Sequence, residues 1–253
     1  MKDPTVRFSN RVENYAKYRP HYPQEVIASL REECRLTAAS LIADIGSGTG
    51  ILTELFLRNG NPVFAVEPNG EMRAAGERLL GNYAGFRSVD ARAEATTLAD
   101  RSIDFVVAGQ AFHWFDRREA RAEFLRILKS PGWVMVVWNE REIQTTPFLK
   151  AYERLLQRYG TDYARVVHKQ VYDAGLADFF GLQGFTSRTF GYRQEFDYAG
   201  VKGRLLSSSY TPEADHPDHG PMLAELIKIF QAHEVNGRVA FEYTTRMYCG
   251  RFK

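Results

Sequence analysis

The chain has 253 residues, of which 44% are hydrophobic and 25% are charged, enough for one α/β domain with insertions around a sizeable core. The formal net charge is only +2, and the dispersed basic residues give no surface for nucleic acid or an anionic membrane. The first ten residues, MKDPTVRFSN, contain no apolar stretch typical of a secretory signal, and no apolar run reaches membrane-spanning length. We therefore expect a cytoplasmic protein.

The chain has few cysteine and histidine residues that could bind a metal ion. Cys34 and Cys249 lie far apart and outside any CxxC pattern, so we expect no disulfide framework, and two thiols alone cannot hold zinc. The run Asp215-His216-Pro217-Asp218-His219 has the composition of a metal site, but it is also typical of a polar loop before a helix. We expect no metal.

The first 140 residues alternate short apolar runs with amphipathic segments. Their continuous apolar character predicts strands that are buried on both faces, as in a parallel sheet covered by helices. Helices are predicted near Gly48, after Asn69 and over Arg117–Leu128. This order predicts an α/β, doubly wound, Rossmann-like sheet that is mostly parallel. The runs are Leu41–Ile45, Val63–Val66, Phe86–Val89, Ile103–Ala108 and Trp133–Trp138.

The pattern of apolar and polar residues changes after Asn139. A helix is predicted to open at Thr146-Pro147 and close at Gly160, and 161–184 looks irregular. Two late strands, Phe185–Phe190 and Val239–Cys249, are expected to form an antiparallel edge hairpin, with a helix over Pro221–His233 between them. We expect a single domain, 1–253, with an N-terminal lid at 1–35, a cofactor-binding core at 36–140, a partial cap at 141–235 and a final edge strand at 236–253.

The strongest motif is the heptapeptide DIGSGTG, from Asp44 to Gly50. A buried strand ends in a carboxylate, a glycine-rich turn follows, and a helix starts at once. Glycines let the backbone approach a ligand closely, and the N–H groups of a helix N-terminus attract an anion. Because the Asp44 carboxylate can accept from an ammonium group, the motif suits an amino-acid moiety. Dinucleotide enzymes show GxGxxG instead, and a P-loop needs lysine where Ile51 stands.

The second strand also ends in an acidic residue. Glu67 stands at the tip of that strand, before Pro68 and Asn69. A carboxylate in this position can accept from both hydroxyls of a ribose, as in nucleotide-binding folds generally. Together the two strand tips predict a site for an aminoacyl nucleoside.

These residues resemble class I S-adenosylmethionine-dependent methyltransferases of the small-molecule group that includes trans-aconitate-type enzymes. The resembling segments are Asp44–Gly50, Val66–Pro68, Ala93–Glu94, Ser102–Trp114, Arg126–Gly132 and the entry segment Tyr15–Pro23. Arg92 departs from the family, whose members often carry a small residue or aspartate there, so Ala93 or Glu94 would flank the adenine instead. The resemblance implies that S-adenosylmethionine is bound by Tyr18, Arg19, Asp44, Gly46, Ser47, Gly48, Thr49, Gly50, Glu67, Pro68, Met72, Ala93, Glu94, Gln110 and Ala111.

Several residues have two interpretations each. Tyr15, Tyr18 and Arg19 either close over the cofactor, with Arg19 on its carboxylate, or pack against the sheet edge. His113 is either an acceptor-facing base or a structural histidine. Expected acceptor contacts, each of which has core packing or a turn as its alternative, are Tyr15, His113, Trp114, Trp138, Ser209 and Tyr210.

The expected activity is methyl transfer to a small molecule by in-line displacement, with oxygen or carboxylate acceptors favoured. An aromatic cap favours a partly apolar acceptor; its residues are Tyr159, Tyr172, Phe179, Phe180, Tyr192, Phe196, Tyr198 and Tyr210. The alternatives are an RNA methyltransferase, a nicotinamide-dependent oxidoreductase on the same architecture and a catalytically silent cofactor-binding module.

Overall fold

A computed structural model describes residues 11–161, 163, 171–181 and 184–252, without the side chains of 171–174. The helices are α1 (Val12–Tyr18), α2 (Glu25–Cys34), α3 (Ile51–Arg58), α4 (Gly70–Leu80), α5 (Arg117–Ile127), α6 (Pro147–Tyr159), α7 (Val171–Phe180), α8 (Tyr198–Leu206) and α9 (His219–His233). The strands are β1 (Ile42–Ile45), β2 (Val63–Val66), β3 (Phe86–Val89), β4 (Ile103–Gly109), β5 (Leu128–Arg141), β6 (Phe185–Phe196) and β7 (Val239–Gly250).

The strands form one seven-stranded sheet in the order β3-β2-β1-β4-β5-β7-β6. The first five are parallel, and β7 runs antiparallel to both β5 and β6. The predicted doubly wound sheet with an antiparallel edge is confirmed. The prediction that the last strand lies at the edge is wrong, because β7 is inside and β6 is outermost. Side chains of β7 are buried at every second residue or more, whereas β6 is mostly exposed.

Two apolar layers cover the sheet. On one face α2 and α3 bury Leu30 and Phe56 against β1 and β4, and on the other face α5 and α7 bury Phe124 and Phe179. Only β3 departs from the predicted two-sided burial, because it is the other edge strand and exposes its two central residues. Residues 1–35 are therefore not one lid: α2 belongs to the core, α1 lies outside it, and 1–10 fall outside the described residues.

A third apolar cluster forms the cap. It joins α6, α8 and α9 to the part of the β6–β7 hairpin that contains the first residues of β7. There Tyr152 and Leu226 pack with Phe241. Asp197 caps α8 by accepting from the Gly200 N–H at 2.8 Å; sequence analysis missed this helix. The prediction that 161–184 is irregular is wrong for the part that forms α7. Phe179 and Phe180 on this helix belong to the sheet core rather than to the cap. The side chain of Tyr172 lies outside the described residues.

The two cysteines meet in the fold although 215 positions separate them. Cys34 ends α2 and Cys249 lies on β7, and their Sγ atoms are 3.2 Å apart in a buried contact between free thiols. The two thiols meet because α2 and the Cys249 side chain lie on the same face of the sheet. The contact could not be predicted from the sequence, since the two residues are far apart in the chain.

Candidate functional site

A crevice is expected where β1 and β4 meet, because their following helices cover opposite faces of the sheet. In doubly wound sheets the ligand lies at the carboxyl ends of the strands at this switch of direction. The loop after β1, Glu67 after β2 and Gln110 after β4 all belong to that edge. The topology therefore places most of the predicted cofactor residues along one rim.

The glycine loop depends on backbone conformations that favour glycine. Gly46, Gly48 and Gly50 have φ values of 69°, 58° and 90°, in the left-handed region where a Cβ is costly. A Cβ on Gly46 would also lie 2.6 Å from the Ala111 Cβ. The loop leads directly into α3 at Ile51, so it presents the N–H groups of a helix N-terminus.

Asp44 is fully buried beneath this loop. Its Oδ2 accepts from the Thr53 hydroxyl at 2.6 Å, whereas Oδ1 and the nearby Thr49 hydroxyl, both buried, have no hydrogen-bond partner in the described part of the chain. Burial is the main reason that the pKa of Asp44 is raised to about 7. The Thr53 hydrogen bond lowers this pKa, and the charge of Glu67 raises it. Buried polar atoms without partners are costly, so this arrangement fits a ligand that brings its own polar groups.

Glu67 links the loop to the next strand. Its Oε2 accepts from the Gly48 N–H and its Oε1 from the Asn69 N–H, both at 2.8 Å. Each carboxylate oxygen keeps a second lone pair, so the pair can still accept from two hydroxyls. Burial raises the pKa of Glu67. The Asn69 side chain caps α4 by accepting from the Met72 N–H at 2.9 Å, as the sequence predicted, and Pro68 is half-buried between them.

The segment after β3 is held by carboxylates. Ala93 is buried, Arg92 is exposed, and the Glu94 carboxylate accepts from the Asp116 N–H at 2.9 Å. Glu94 therefore ties this segment to the loop after β4.

Glu123 was not among the residues predicted from the sequence. Glu123 is buried and accepts from the Thr96 N–H at 2.8 Å and from the Thr96 hydroxyl. Its hydrogen bonds, first of all with Arg126, lower its pKa to about 2 against the effect of burial. Arg126, three residues later on the helix, was the available sequence signal.

At the end of β4, Gln110 has a φ of 57° and donates from Nε2 to the Asn139 carbonyl at 3.0 Å. His113 is exposed, and its ring centroid lies 4.5 Å from that of Trp114. Trp138 is buried between Phe112 and Tyr248. Trp138 therefore packs in the core rather than lining an acceptor pocket.

The entry segment contacts the cap. Tyr18 packs edge-on against Phe196, with the ring centroids 6.2 Å apart, and covers Gly203 of α8. The Arg19 guanidinium donates to the Ser207 carbonyl at 2.9 Å and lies 4.9 Å from the Tyr15 ring centroid. The Arg19 contact joins the segment to the end of α8.

The segment 207–210 is more buried than a polar loop. Ser207 and Ser208 are fully buried, Ser209 is half-buried, and the Tyr210 ring packs at 4.9 Å from that of Tyr163. Beside it lie two buried or nearly buried residues that sequence analysis did not single out, Arg141 and Arg204. Arg204 connects the hydroxyls of Ser207 and Ser208 to the Tyr243 hydroxyl on β7, and Arg141 at the end of β5 donates to Glu153 and Tyr163.

Comparison with known proteins agrees with this geometry. Residues 43–136 match the model of a family described as a methyltransferase domain. This segment, which contains the glycine loop, Asp44 and Glu67, is similar to a methyltransferase domain. An uncharacterised methyltransferase-like protein of Schizosaccharomyces pombe is 33% identical over 159 residues, which are 61% of this chain and 59% of that protein. An uncharacterised methyltransferase of Mycobacterium bovis is 35% identical over 141 residues, 56% of this chain and 55% of that protein.

The matches thus span less than two thirds of these relatives. A solved structure from Anaeromyxobacter dehalogenans, provisionally described as a type II methyltransferase, has a TM-score of 0.70 at 19% identity and covers 92% of this chain and 98% of that one. This likeness supports the Rossmann-like fold of the chain. In the described ranges, no helix combines the length and apolar character needed to cross a membrane, and no group of three metal-ligating side chains occurs.

Proposed function

We propose that this chain transfers the methyl group of S-adenosylmethionine to a small-molecule acceptor, with oxygen or carboxylate acceptors favoured. The observation that carries the proposal is the pairing of Asp44 and Glu67 at the tips of adjacent strands, around a glycine loop that keeps buried polar atoms without partners. The methyltransferase domain match over residues 43–136 contains both carboxylates and the loop.

Each part of the crevice has a role in this proposal. The Asp44 carboxylate would hold the cofactor's ammonium group, and the N–H groups of the glycine loop and α3 would hold its carboxylate. Glu67 would accept from the ribose hydroxyls, while Ala93 would lie beside the adenine. When bound, the cofactor supplies an electrophilic methyl group on a sulfonium sulfur.

The remaining residues would position the acceptor and exclude water, which supplies much of the rate of a two-reactant step. Asn139 connects the rim to the entry segment, since it receives the Gln110 hydrogen bond and donates to the His21 carbonyl at 3.0 Å. His113 stays the candidate for a base or orienting group, and its side chain is exposed. Among the described residues, we find no feature that favours RNA or a nicotinamide cofactor.

Calorimetry with S-adenosylhomocysteine tests the proposal on the wild type, on Glu67→Gln and on Glu195→Gln as a control. Glu195 is about half exposed and pairs with Arg193. We expect binding to the wild type and the control, and a loss of about 10- to 100-fold in Glu67→Gln, because charge-assisted hydrogen bonds to the ribose would weaken. Equal affinity in all three proteins would remove Glu67 from the ribose site.

A wild type that binds neither S-adenosylmethionine nor S-adenosylhomocysteine would overturn the proposed function itself. A parallel fluorescence titration with NADH separates the oxidoreductase alternative, for which we expect no binding.

A further inference from the structure

Three arginines from distant parts of the chain converge beside the cofactor crevice; we name Arg19, Arg141 and Arg204 the arginine cluster. Arg19 donates to the Ser207 carbonyl at 2.9 Å. Arg204 lies within 3.5 Å of the Ser207 hydroxyl and within 3.4 Å of the Ser208 hydroxyl. The two guanidinium groups therefore meet around one buried serine.

The sheet register brings Arg141 to the same place. Arg141 ends β5 and is the direct partner of Tyr243 on β7, and the Tyr243 hydroxyl accepts from the Arg204 Nε at 3.1 Å. Arg141 also lies over the ring of Tyr152, 5.2 Å from its centroid. Two strands and α8 thus fix the positions of two of the three cations.

The charges of the arginine cluster are not balanced by the residues that the structure describes. Glu153 pairs with one nitrogen of Arg141, whereas no carboxylate in the described ranges pairs with Arg19 or Arg204. The Arg141 Nη1 and the Arg19 Nε are buried and lack a hydrogen-bond partner there. Burial, and then the nearby charge of Arg204, lowers the pKa of Arg19.

Burying more cations than anions raises the free energy of the folded protein unless an anion is bound. Removing a guanidinium group from water is unfavourable unless an anion and hydrogen bonds replace the lost hydration. Guanidinium groups bind carboxylate and phosphate groups through paired N–H donors. An anionic ligand would therefore accept hydrogen bonds from the unpartnered nitrogens of Arg19 and Arg141.

Tyrosines complete the surroundings of the arginine cluster. Tyr152, Tyr163 and Tyr243 are buried, and burial raises the pKa of Tyr152 and of Tyr163. The hydroxyls of Tyr152 and Tyr163 consequently stay protonated at neutral pH, and that of Tyr163 donates to Glu153 at 2.6 Å. The site combines cations, neutral donors and aromatic faces, which suits a small molecule that is anionic at one end and partly apolar elsewhere.

The arginine cluster adjoins the rim on the side away from Glu67. Arg141 stands two residues after Asn139, whose carbonyl accepts from Gln110 at the end of β4, and Asn139 also bonds the residues that follow Arg19. Strand β4 lies between β1 and β5 in the sheet. The glycine loop and the arginine cluster therefore flank the end of β4 from opposite sides.

We propose that the arginine cluster is the acceptor site and that it binds a carboxylate or phosphate group of the methyl acceptor. This inference rests on the proposed function, because it names the substrate class of that same crevice. The anionic group is an anchor: it binds the unpartnered nitrogens of Arg19 and Arg141, beside the positive charge of Arg204, while another part of the molecule faces the cofactor.

Calorimetry on protein saturated with S-adenosylhomocysteine tests the anchor with citrate, inorganic phosphate and the uncharged trimethyl ester of citrate, at constant ionic strength. We expect citrate or phosphate to bind and the ester not to bind. The tighter of the two anions assigns the anchor to carboxylate or to phosphate. If neither anion binds the wild-type complex, the inference is wrong.

Variants then locate the anion. Arg204→Met is expected to weaken anion binding at least about tenfold, because the positive charge beside the anion is lost, and Arg204→Lys should recover part of the affinity by restoring that charge. Arg193→Met is the matched control, since Arg193 is mostly exposed on β6. Unchanged anion affinity in Arg204→Met would overturn the inference.

S-adenosylhomocysteine affinity separates this inference from the proposed function. It should stay the same in all three arginine variants, and thermal unfolding checks that each variant is folded. If wild-type protein fails to bind S-adenosylhomocysteine, the proposed function is wrong, and anion titration of the free protein still decides whether the arginine cluster is an anion site.

Discussion

The cofactor crevice and the arginine cluster are built in opposite ways. The crevice uses carboxylates and backbone N–H groups from one continuous stretch, Asp44 to Glu67, and its shape depends on three glycines in left-handed conformations. The arginine cluster uses side-chain cations spread from residue 19 to residue 204. Both keep buried polar atoms without partners in the described chain. Backbone geometry thus defines the first region, and side-chain charge defines the second.

The largest effect is expected from adding one methyl group to the glycine loop. In Gly46→Ala the new Cβ would take a left-handed φ of 69° and lie 2.6 Å from the Ala111 Cβ. Strain and overpacking should lower the free energy of unfolding by about 3 kcal/mol, as measured by urea denaturation.

Gly191→Ala is the control for this substitution, because a Cβ there meets no heavy atom within 4 Å. Its stability should change by at most about 0.5 kcal/mol. If both alanine variants are equally stable, the crevice does not depend on the backbone conformation of its loop.

A smaller effect is expected at Glu123, which supports the segment after β3. Glu123→Gln should cost about 2 kcal/mol at pH 7, because a carboxylate that accepts from Thr96 and Arg126 is lost. Since the folded pKa of about 2 lies below the ordinary 4.5, this stabilisation is present above pH 4.5 and is lost as the pH falls toward 2.

Urea denaturation of both proteins across that pH range checks the prediction, with Glu119→Gln as a control on the exposed face of the same helix. A cost that stays constant from pH 7 to pH 3 would contradict the assignment of the effect to the ionised carboxylate.

The smallest effect is a pH dependence of cofactor binding. Because the pKa of Asp44 is about 7, its carboxyl group is largely neutral at pH 6 and ionised at pH 8. An ammonium ligand favours the ionised form, so S-adenosylhomocysteine affinity should fall as the pH drops below 7, by up to about tenfold per pH unit.

Asp44→Asn should remove this dependence, and the ratio of the two affinities cancels the titration of the ligand itself. A ratio that does not change between pH 5.5 and pH 7.5 would show that Asp44 does not contact the ammonium group.

The sequence predicted the parallel sheet, the glycine loop, the Asn69 cap and the position of Glu67, because each is encoded by residues that are close together in the chain. It placed β7 at the edge because hydrophobicity alone does not rank two antiparallel strands. It left a pocket contact and core packing open for Trp138, and the structure shows core packing.

The arginine cluster was beyond sequence analysis for a different reason. Arg141 joins Tyr243 only through the pairing of β5 with β7, and Arg204 belongs to the missed helix α8. Neither arginine has a local pattern that separates it from the many exposed arginines of the chain. Long-range register, rather than any motif, brings the cations together.

The short helix α1 has a kinetic consequence. It lies against α4, which begins just after Glu67, and against α8, which carries Arg204. Arg11, immediately before it, donates to the carbonyls of Leu206, Ser208 and Thr211. Movement of α1 would therefore open both regions together, so we expect one motion to control the exchange of both ligands.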